Sequence, residues 1–161
     1  MPSDSHTHRL SVNAFLVCND HFLLLKRARD PLIWAPPGGH LLPNEDPLKG
    51  LQREIFEETR LKAEIYYPVV TWFGKFKGGN LLSIDYCAKT SSMSVVLSDE
   101  HTDFRWLSIQ QLTEESTIYF NSALGFTLND FFIAWKSYLM LENRFEELAV
   151  FTTNLRSINV D

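Results

Sequence analysis

Cysteine is scarce in this chain of 161 residues, and its two cysteines, Cys18 and Cys87, both lie inside apolar, strand-like segments. Two buried thiols do not make the disulfide framework of a small secreted domain, so we expect a reducing compartment. No secretory signal is visible in the polar residues 1–9, and no run approaches the ~20 apolar residues of a membrane helix. These absences predict a cytoplasmic protein.

Basic residues are outnumbered, with 15 lysines and arginines against 20 aspartates and glutamates and a net charge of −5. Nucleic acids and membrane surfaces are bound through basic patches, so this balance argues against both as partners. An acidic chain still accepts a small phosphorylated ligand when metal ions supply the positive charge. We therefore expect a small phosphorylated molecule as the partner of a monomer or a homodimer.

Internal repeats, linkers and low-complexity segments are also absent, and the length suits one domain. We expect residues 9–161 to form that domain and the polar residues 1–8 to be a disordered tail. The hydrophobic fraction of 45% and the charged fraction of 22% are ordinary for a globular protein. Composition alone indicates only an α+β or α/β fold.

The stretch 38–61 carries the clearest pattern in the chain. Asp46 followed by Pro47 suits a helix start, because aspartate caps free N–H groups and proline tolerates the first helical position. Apolar residues at 48–59 recur at helical spacing, which predicts an amphipathic helix packed on a core. Gly50, inside this helix, predicts close packing against a sheet.

Three glutamates, Glu54, Glu57 and Glu58, lie on another face of the predicted helix, since residues three and four apart are neighbours. Like charges at this spacing cost a helix about 0.2–0.5 kcal/mol, and only Arg53 offers local relief. Mg²⁺ prefers carboxylate oxygens together with water and phosphates. This face is therefore either a solvated acidic surface or a site for Mg²⁺ or Mn²⁺.

The spacing of the charged residues favours the metal site. Five residues separate Gly39 from Glu45, and seven more separate Glu45 from Arg53. The sequence REIFEE follows at 53–58, and Leu61 closes the run. This pattern resembles the Nudix box, the signature of the MutT-like Nudix hydrolase family, in which several charged residues fall at fixed offsets.

The resemblance implies an α+β Nudix fold, in which a mixed β-sheet is sandwiched between α-helices as an α/β/α sandwich. It also implies Mg²⁺-dependent hydrolysis of a nucleoside diphosphate linked to another moiety, by water attack on phosphorus. A nucleoside triphosphate is the expected substrate, with nucleotide sugars and ADP-ribose-type compounds as alternatives. A Nudix domain that binds a nucleotide without turnover is the competing class.

The resemblance also implies which residues act. The expected metal ligands are Glu54, Glu57, Glu58 and the carbonyl of Gly38. The expected catalytic residues are Glu54, Glu57, Arg53 and Glu100. Arg53 suits the orientation of the glutamates through charge-assisted hydrogen bonds, and Glu100 resembles the loop glutamate that serves some Nudix enzymes as metal ligand or base.

Three further residues are candidates for substrate contacts. Arg27 follows a predicted strand, where some relatives place a substrate-binding arginine, and the alternative is a solvated strand end. Gly39 follows a proline-rich loop, and a backbone freed of side chains approaches a metal or phosphate closely. Trp34, beside this loop, either stacks on a base or packs in the core.

Arg60 departs from the box, which has glycine at this position. Glycine there would end the helix in a left-handed conformation, which costs a non-glycine residue about 1–2 kcal/mol. This difference leaves the carboxylates unchanged and concerns only how the helix ends. It is also the one feature that favours a non-catalytic module.

The rest of the chain is predicted to be strands and one long helix. Asn19-Asp20 is a turn signal between two apolar runs, which predicts a hairpin. Trp72, Phe73 and Phe76 are expected mainly in the core, with one of them facing the substrate base as an alternative. The predicted segments are strands at 10–18, 22–26, 62–76, 81–89 and 104–107 and a helix at 128–148.

Overall fold

The computed structural model of the protein describes residues 8–158, apart from the side chain of Ile158. Within that range seven strands form one mixed sheet. The predicted disordered tail lies outside the described residues except for His8, whose ring lies 5.3 Å from that of Phe73. The strands are β1 (Arg9–Cys18), β2 (His21–Arg27), β3 (Trp34–Ala35), β4 (Gly38–His40), β5 (Glu64–Phe76), β6 (Gly79–Lys89) and β7 (His101–Ser108).

Five helices accompany the sheet within the same range. None of them is both long enough and apolar enough to cross a membrane. The helices are α1 (Pro47–Thr59), α2 (Ile109–Glu114), α3 (Ser116–Tyr119), α4 (Leu128–Leu141) and α5 (Phe145–Ile158).

Strand β1 organises the sheet, whose order is β3-β2-β1-β6-β5. One edge of β1 pairs in parallel with β6, and Asn13 lies opposite Asp85 in that register. The other edge pairs antiparallel with β4 at one end, where Asn13 lies opposite Gly38, and with β2 at the other end. Strand β7 pairs with β2. Asn13 therefore lies between Gly38 and Asp85 in the sheet.

The helices cover both faces of the sheet, because β1 is apolar on both sides and successive side chains alternate. Val12, Ala14 and Leu16 pack with Leu51 and Ile55 of α1 on one face, and all five side chains are buried. The predicted α1 begins as expected, with the Asp46 side chain accepting from two backbone N–H groups at 3.0 and 3.1 Å.

The opposite face is covered by α2 and α4. Phe15 and Val17 of β1 pack there with Phe131 and Leu139 of α4, and rings of Phe15 and Phe131 meet edge to face at 5.0 Å. Buried rings in this arrangement contribute beyond their area. The result is the α/β/α sandwich that the resemblance implied.

The prediction of a single helix at 128–148 is wrong. Helix α4 ends at Leu141 and α5 begins at Phe145, because Asn143 adopts a left-handed conformation with φ 56°. Arg144 then contacts Asp20, in the β1–β2 turn, through two hydrogen bonds of 2.6 and 2.9 Å. This distant contact holds the chain in the new direction.

Candidate active site

Arg53 lies at the centre of the charged face of α1. Its Nε and Nη2 donate to the two carboxylate oxygens of Glu45 at 2.7 and 2.9 Å. Its Nη1 donates to Glu54 at 2.8 Å and to Glu57 at 3.2 Å, and Nη2 also reaches the carbonyl of His40. Paired bonds of this kind fix side-chain geometry. Arg53 thus holds three glutamates in place, and the predicted contacts with Glu54 and Glu57 are present.

Glu45 fixes Arg53 from the loop that precedes α1. The hydrogen bonds from Arg53, and a further one from the N–H of Leu42, hold the pKa of Glu45 down at about 2. Gly50 makes room for this carboxylate, since a Cβ there would lie 2.9 Å from Glu45 Oε2 and would collide with Leu41. The expected packing of Gly50 against the sheet is therefore wrong, because the loop occupies that space.

Glu58 is a buried carboxyl, with 5% of the residue exposed. Its Oε2 accepts from the N–H of Gly38 at 2.9 Å, and its Oε1 lies 3.6 Å from Nε2 of His101. Burial raises the pKa of Glu58 to about 9, and the charges of Glu54 and Glu100 add to this. The side chain therefore faces other carboxylates in a poorly solvated place.

Glu54 lies directly against Gly39. A Cβ at Gly39 would come within 2.6–2.8 Å of the Glu54 carboxylate, so a side chain there would displace that carboxylate. Burial raises the pKa of Glu54 in spite of the bond from Arg53, and the charges of Glu57 and Glu100 raise it further. Glu100, from the loop before β7, therefore acts electrostatically on both Glu54 and Glu58.

Gly38 joins β4 to β1 at close range. Its φ of 154° is one that residues with a side chain rarely adopt, and a Cβ would lie 2.6 Å from the Asn13 Cα. This close approach presents the Gly38 N–H to Glu58. Gly38 thus lies directly against the backbone of β1, and Gly39 lies directly against the Glu54 carboxylate.

A cavity opens beside these glycines on the α4 face of the sheet. Arg27, at the end of β2, lines it together with Gly38 and Gly39. Within residues 8–158, the buried Nε of Arg27 has no hydrogen-bond partner. The Arg27 charge lowers the pKa of Glu58 against the larger effect of burial, so Arg27 lies near that carboxyl. The cavity therefore has a cationic group next to the acidic helix.

Comparison with known proteins decides the family. The NUDIX domain model matches residues 7–123, which is more than half of the chain. The chain belongs to the Nudix family. A MutT-like protein of Streptomyces ambofaciens is 31% identical over 107 residues, covering 66% of this chain and 68% of that protein.

Two further proteins are similar to this chain. The asymmetrical bis(5'-nucleosyl)-tetraphosphatase of Mus musculus is 29% identical over 96 residues, covering 56% of this chain and 65% of the relative. The structure of a C. elegans Ap4A hydrolase matches with a TM-score of 0.64 and 26% identity, covering 76% of this chain and 94% of the other. This chain spans about two thirds of the two curated relatives. The expected family, fold and class of enzyme, a Nudix hydrolase, are confirmed.

The Nudix box carboxylates fit a divalent cation by their chemistry. Among residues 8–158, no three His, Cys, Asp or Glu side chains are gathered as a ready metal site. Arg53 instead holds Glu54 and Glu57, while Glu58 is buried against Gly38. The three glutamates carry hard oxygen ligands close together on one helix, and such ligands suit Mg²⁺ or Mn²⁺. Metal ligation by Glu54, Glu57, Glu58 and the Gly38 carbonyl stays a prediction.

Trp34 does not line the cavity. Its ring meets Tyr119 edge to face at 5.4 Å, and the cations of Lys26 and Arg105 lie 5.9 and 5.8 Å from its centre. These contacts favour packing over base stacking, and contact between Trp34 and substrate stays a prediction that no geometry supports. Trp72 and Phe76, by contrast, line the cavity.

Four polar residues near the site were not found by sequence reasoning. His101 follows Glu100, and its Nδ1 is buried without a partner in the described chain. The others alternate with apolar residues in two strands, a signal that marks one face of a sheet. They are Asn13 of β1 and Ser83 and Asp85 of β6.

Proposed function

We propose that the protein hydrolyses a phosphoanhydride bond of a nucleoside diphosphate derivative, with Mg²⁺ or Mn²⁺ as cofactor. A nucleoside triphosphate is the first candidate substrate, giving a monophosphate and pyrophosphate. One observation carries this proposal. Arg53 holds Glu45, Glu54 and Glu57 in place beside the Gly38–Gly39 backbone, at the mouth of a cavity that Arg27 also lines.

Each group in this arrangement has a task in the reaction. A water oxygen attacks phosphorus, the P–O bond to the leaving phosphate breaks, and that phosphate takes the electron pair. Glu54 is the first candidate to take the proton from water, because it lies against Gly39, which lines the cavity. Glu100, whose charge acts on Glu54, is the second.

Positive charge is needed because the transition state of phosphoryl transfer carries negative charge on its oxygens. When bound, a divalent cation neutralises the phosphates and activates the attacking water. Glu54, Glu57, Glu58 and the Gly38 carbonyl would hold it. Arg27, which lines the cavity, contributes a guanidinium as a phosphate-binding group.

A dinucleoside tetraphosphate is the second candidate substrate. The structure of a C. elegans Ap4A hydrolase matches 76% of this chain with a TM-score of 0.64. The mouse relative carries the same kind of activity in its name. Both substrates contain the phosphoanhydride bond that the site is suited to cleave, so one assay compares them.

A hydrolysis screen tests the proposal. Nucleoside triphosphates, Ap4A and nucleotide sugars are incubated with the protein and Mg²⁺, and the products are identified. We expect Mg²⁺-dependent release of a nucleoside monophosphate, and Glu54→Gln should lower kcat at least about 100-fold. Glu146→Gln, the same substitution on the exposed face of α5, is the matched control and should retain activity.

Metal binding is measured separately by calorimetry without substrate. We expect Mn²⁺ or Mg²⁺ to bind the wild type, and Glu57→Gln to weaken that binding at least about tenfold. Equal metal affinity in wild type and variant removes Glu57 from the ligand set. A folded protein that binds nucleotides but turns over no substrate in the screen would instead be a non-catalytic Nudix module.

A further inference from the structure

The cavity beside the Nudix box has a polar, largely buried floor. Asn13 of β1 and Ser83 and Asp85 of β6 form it, since the parallel register places Asn13 opposite Asp85. Asp85 is only 1% exposed and Ser83 is 5% exposed. A buried carboxylate is costly unless donors surround it, so this floor is a built feature of the sheet.

Two of the three hydrogen bonds within the floor end on one atom, Asp85 Oδ1. Asn13 Nδ2 donates to Asp85 Oδ1 and to Ser83 Oγ, both at 2.8 Å. Ser83 Oγ donates its proton to the same Asp85 Oδ1. This pattern assigns the amide orientation of Asn13, because its nitrogen faces two acceptors.

Counting donors shows what remains for a ligand. The two Nδ2 hydrogens of Asn13 and the hydroxyl hydrogen of Ser83 are all used inside the floor. Within residues 8–158, Asp85 Oδ2 has no donor. The floor therefore offers the cavity acceptors only. A ligand group that meets Asp85 Oδ2 must therefore supply an N–H or O–H group.

A second carboxylate extends this acceptor character. Asp130, at the start of α4, also lines the cavity. Burial raises the pKa of Asp85 to about 6, and the charge of Asp130 adds to this. Phosphate is repelled from such a floor, so the phosphates of a substrate belong near Arg27 and Gly39, and its opposite end reaches Asp85.

The walls of the cavity are flat and apolar. Trp72 lies over Gly74, where a Cβ would come within 2.5 Å of the indole ring, so the ring is held against its own strand. Phe76 of β5 and Phe126 of the loop before α4 line the same cavity. Aromatic walls with few polar groups at one end are typical of sites for planar heterocycles.

We propose that this cavity is a nucleobase site that selects guanine through the acceptors of Asp85 and Asn13. The inference rests on the proposed function, since it takes the phosphates to lie at the Nudix box. The pairing edge of guanine presents two adjacent donors, the ring N1–H and the exocyclic N2 amino group. Asp85 Oδ2 accepts from these groups, and the Asn13 carbonyl oxygen is the neighbouring acceptor.

Other bases fit the floor less well. Adenine and cytosine place a ring acceptor beside their amino group, which would face a carboxylate oxygen. Uracil has one N–H between two carbonyl groups, and hypoxanthine keeps N1–H but lacks the amino group. A site built to accept hydrogen bonds rejects a ligand that leaves its buried acceptors unpaired.

Calorimetry with nucleoside monophosphates tests this order without turnover. We expect the protein to bind GMP more tightly than IMP, and IMP more tightly than AMP, CMP or UMP. Each lost hydrogen bond to the carboxylate should weaken binding at least about tenfold. Equal affinity for these nucleotides, or a preference for AMP, would overturn the proposal.

Asp85→Asn tests the acceptor directly. Asn13 and Ser83 donate inward, so the substituted side chain turns its oxygen to them and its NH₂ to the cavity. GMP binding should fall at least about tenfold, and binding of XMP, which has a carbonyl in place of the amino group, should rise. Asp103→Asn, on β7 outside the cavity lining, is the matched control and should keep the wild-type order. Unchanged GMP binding in folded Asp85→Asn would contradict the proposal.

Hydrolysis of GTP by the same preparation reports on the proposed function alone. Preferential GMP binding without turnover would support the guanine site and contradict the proposed hydrolysis. Turnover with equal affinity for all the nucleotides would support the proposed hydrolysis and contradict the guanine site. If Asp85→Asn does not fold, the wild-type series of nucleotides still decides between these results.

Discussion

Arg60 takes the place of a family glycine without changing the catalytic face. Its backbone is left-handed, with φ 61° and ψ 11°, and its N–H donates to the Phe56 carbonyl at 2.9 Å. The guanidinium lies 5.3 Å from the centre of the Phe56 ring. The helix therefore ends as the family pattern implies, and an arginine carries the conformational cost there. This weakens the one argument for a non-catalytic module.

Replacing Arg60 separates strain from ring contact. Arg60→Gly should increase the free energy of unfolding by about 1 kcal/mol relative to Arg60→Ala, because both lose the ring contact and only glycine relieves the left-handed strain. The greater freedom of glycine in the unfolded chain offsets part of the gain. Denaturant unfolding of both variants measures the difference, and equal midpoints would show that the conformation costs little.

Asp85 makes stability depend on pH. Its pKa is raised by burial from 3.8 to about 6, so the folded state favours the protonated form. The contribution of protonated Asp85 to the free energy of unfolding is fully present below 3.8, its pKa in the unfolded chain, and is lost as pH rises through about 6. Relative to wild type, Asp85→Asn should therefore gain up to about 3 kcal/mol between about pH 4 and about pH 7.

Denaturant unfolding across this pH range checks the prediction. Asp103→Asn removes a carboxylate from a position on β7 that is 38% exposed at the side chain, and serves as the matched control. Its difference from wild type should change little across the same range. A constant difference between wild type and Asp85→Asn would show that Asp85 is not desolvated in solution.

At the scale of elements, α1 was predictable and the α4–α5 break was not. Helix α1 carries its own signals: an Asp46 cap, Pro47 at the first position and a regular apolar stripe. The break at Asn143 has only a weak local signal, because the apolar stripe of α4 runs on into α5. What fixes it is a contact between Arg144 and Asp20, 124 positions apart in the chain.

Arg144 should hold α5 in its orientation. It pairs with Asp20 and Glu147 and lies 5.6 Å from the centre of the Trp135 ring. Arg144→Ala should destabilise the fold by about 1 kcal/mol, since these pairs are partly solvated, and should speed amide exchange in α5. Arg156→Ala, at the exposed end of the same helix, is the control and should do neither. Equal exchange rates in the two variants would contradict this role.

At the scale of the whole molecule, the two halves of the site differ in how far the sequence predicts them. The box carboxylates and Gly38–Gly39 come from one contiguous stretch, so their spacing alone predicts that they meet. The cavity floor joins β1 to β6 through a parallel register that pairs Asn13 with Asp85, 72 positions apart. No local pattern specifies that pairing, and only the folded sheet brings these residues to the substrate side of the box.

Turnover in isotopically labelled water tests the hydrolytic site most directly. With GTP or Ap4A and Mg²⁺, we expect solvent oxygen in one phosphate product, and we expect chelator to stop the reaction. Glu54→Gln should lower this incorporation at least about 100-fold, while Glu146→Gln should not. Products that lack solvent oxygen, or turnover that persists in chelator, would contradict metal-dependent attack by water at the Nudix box.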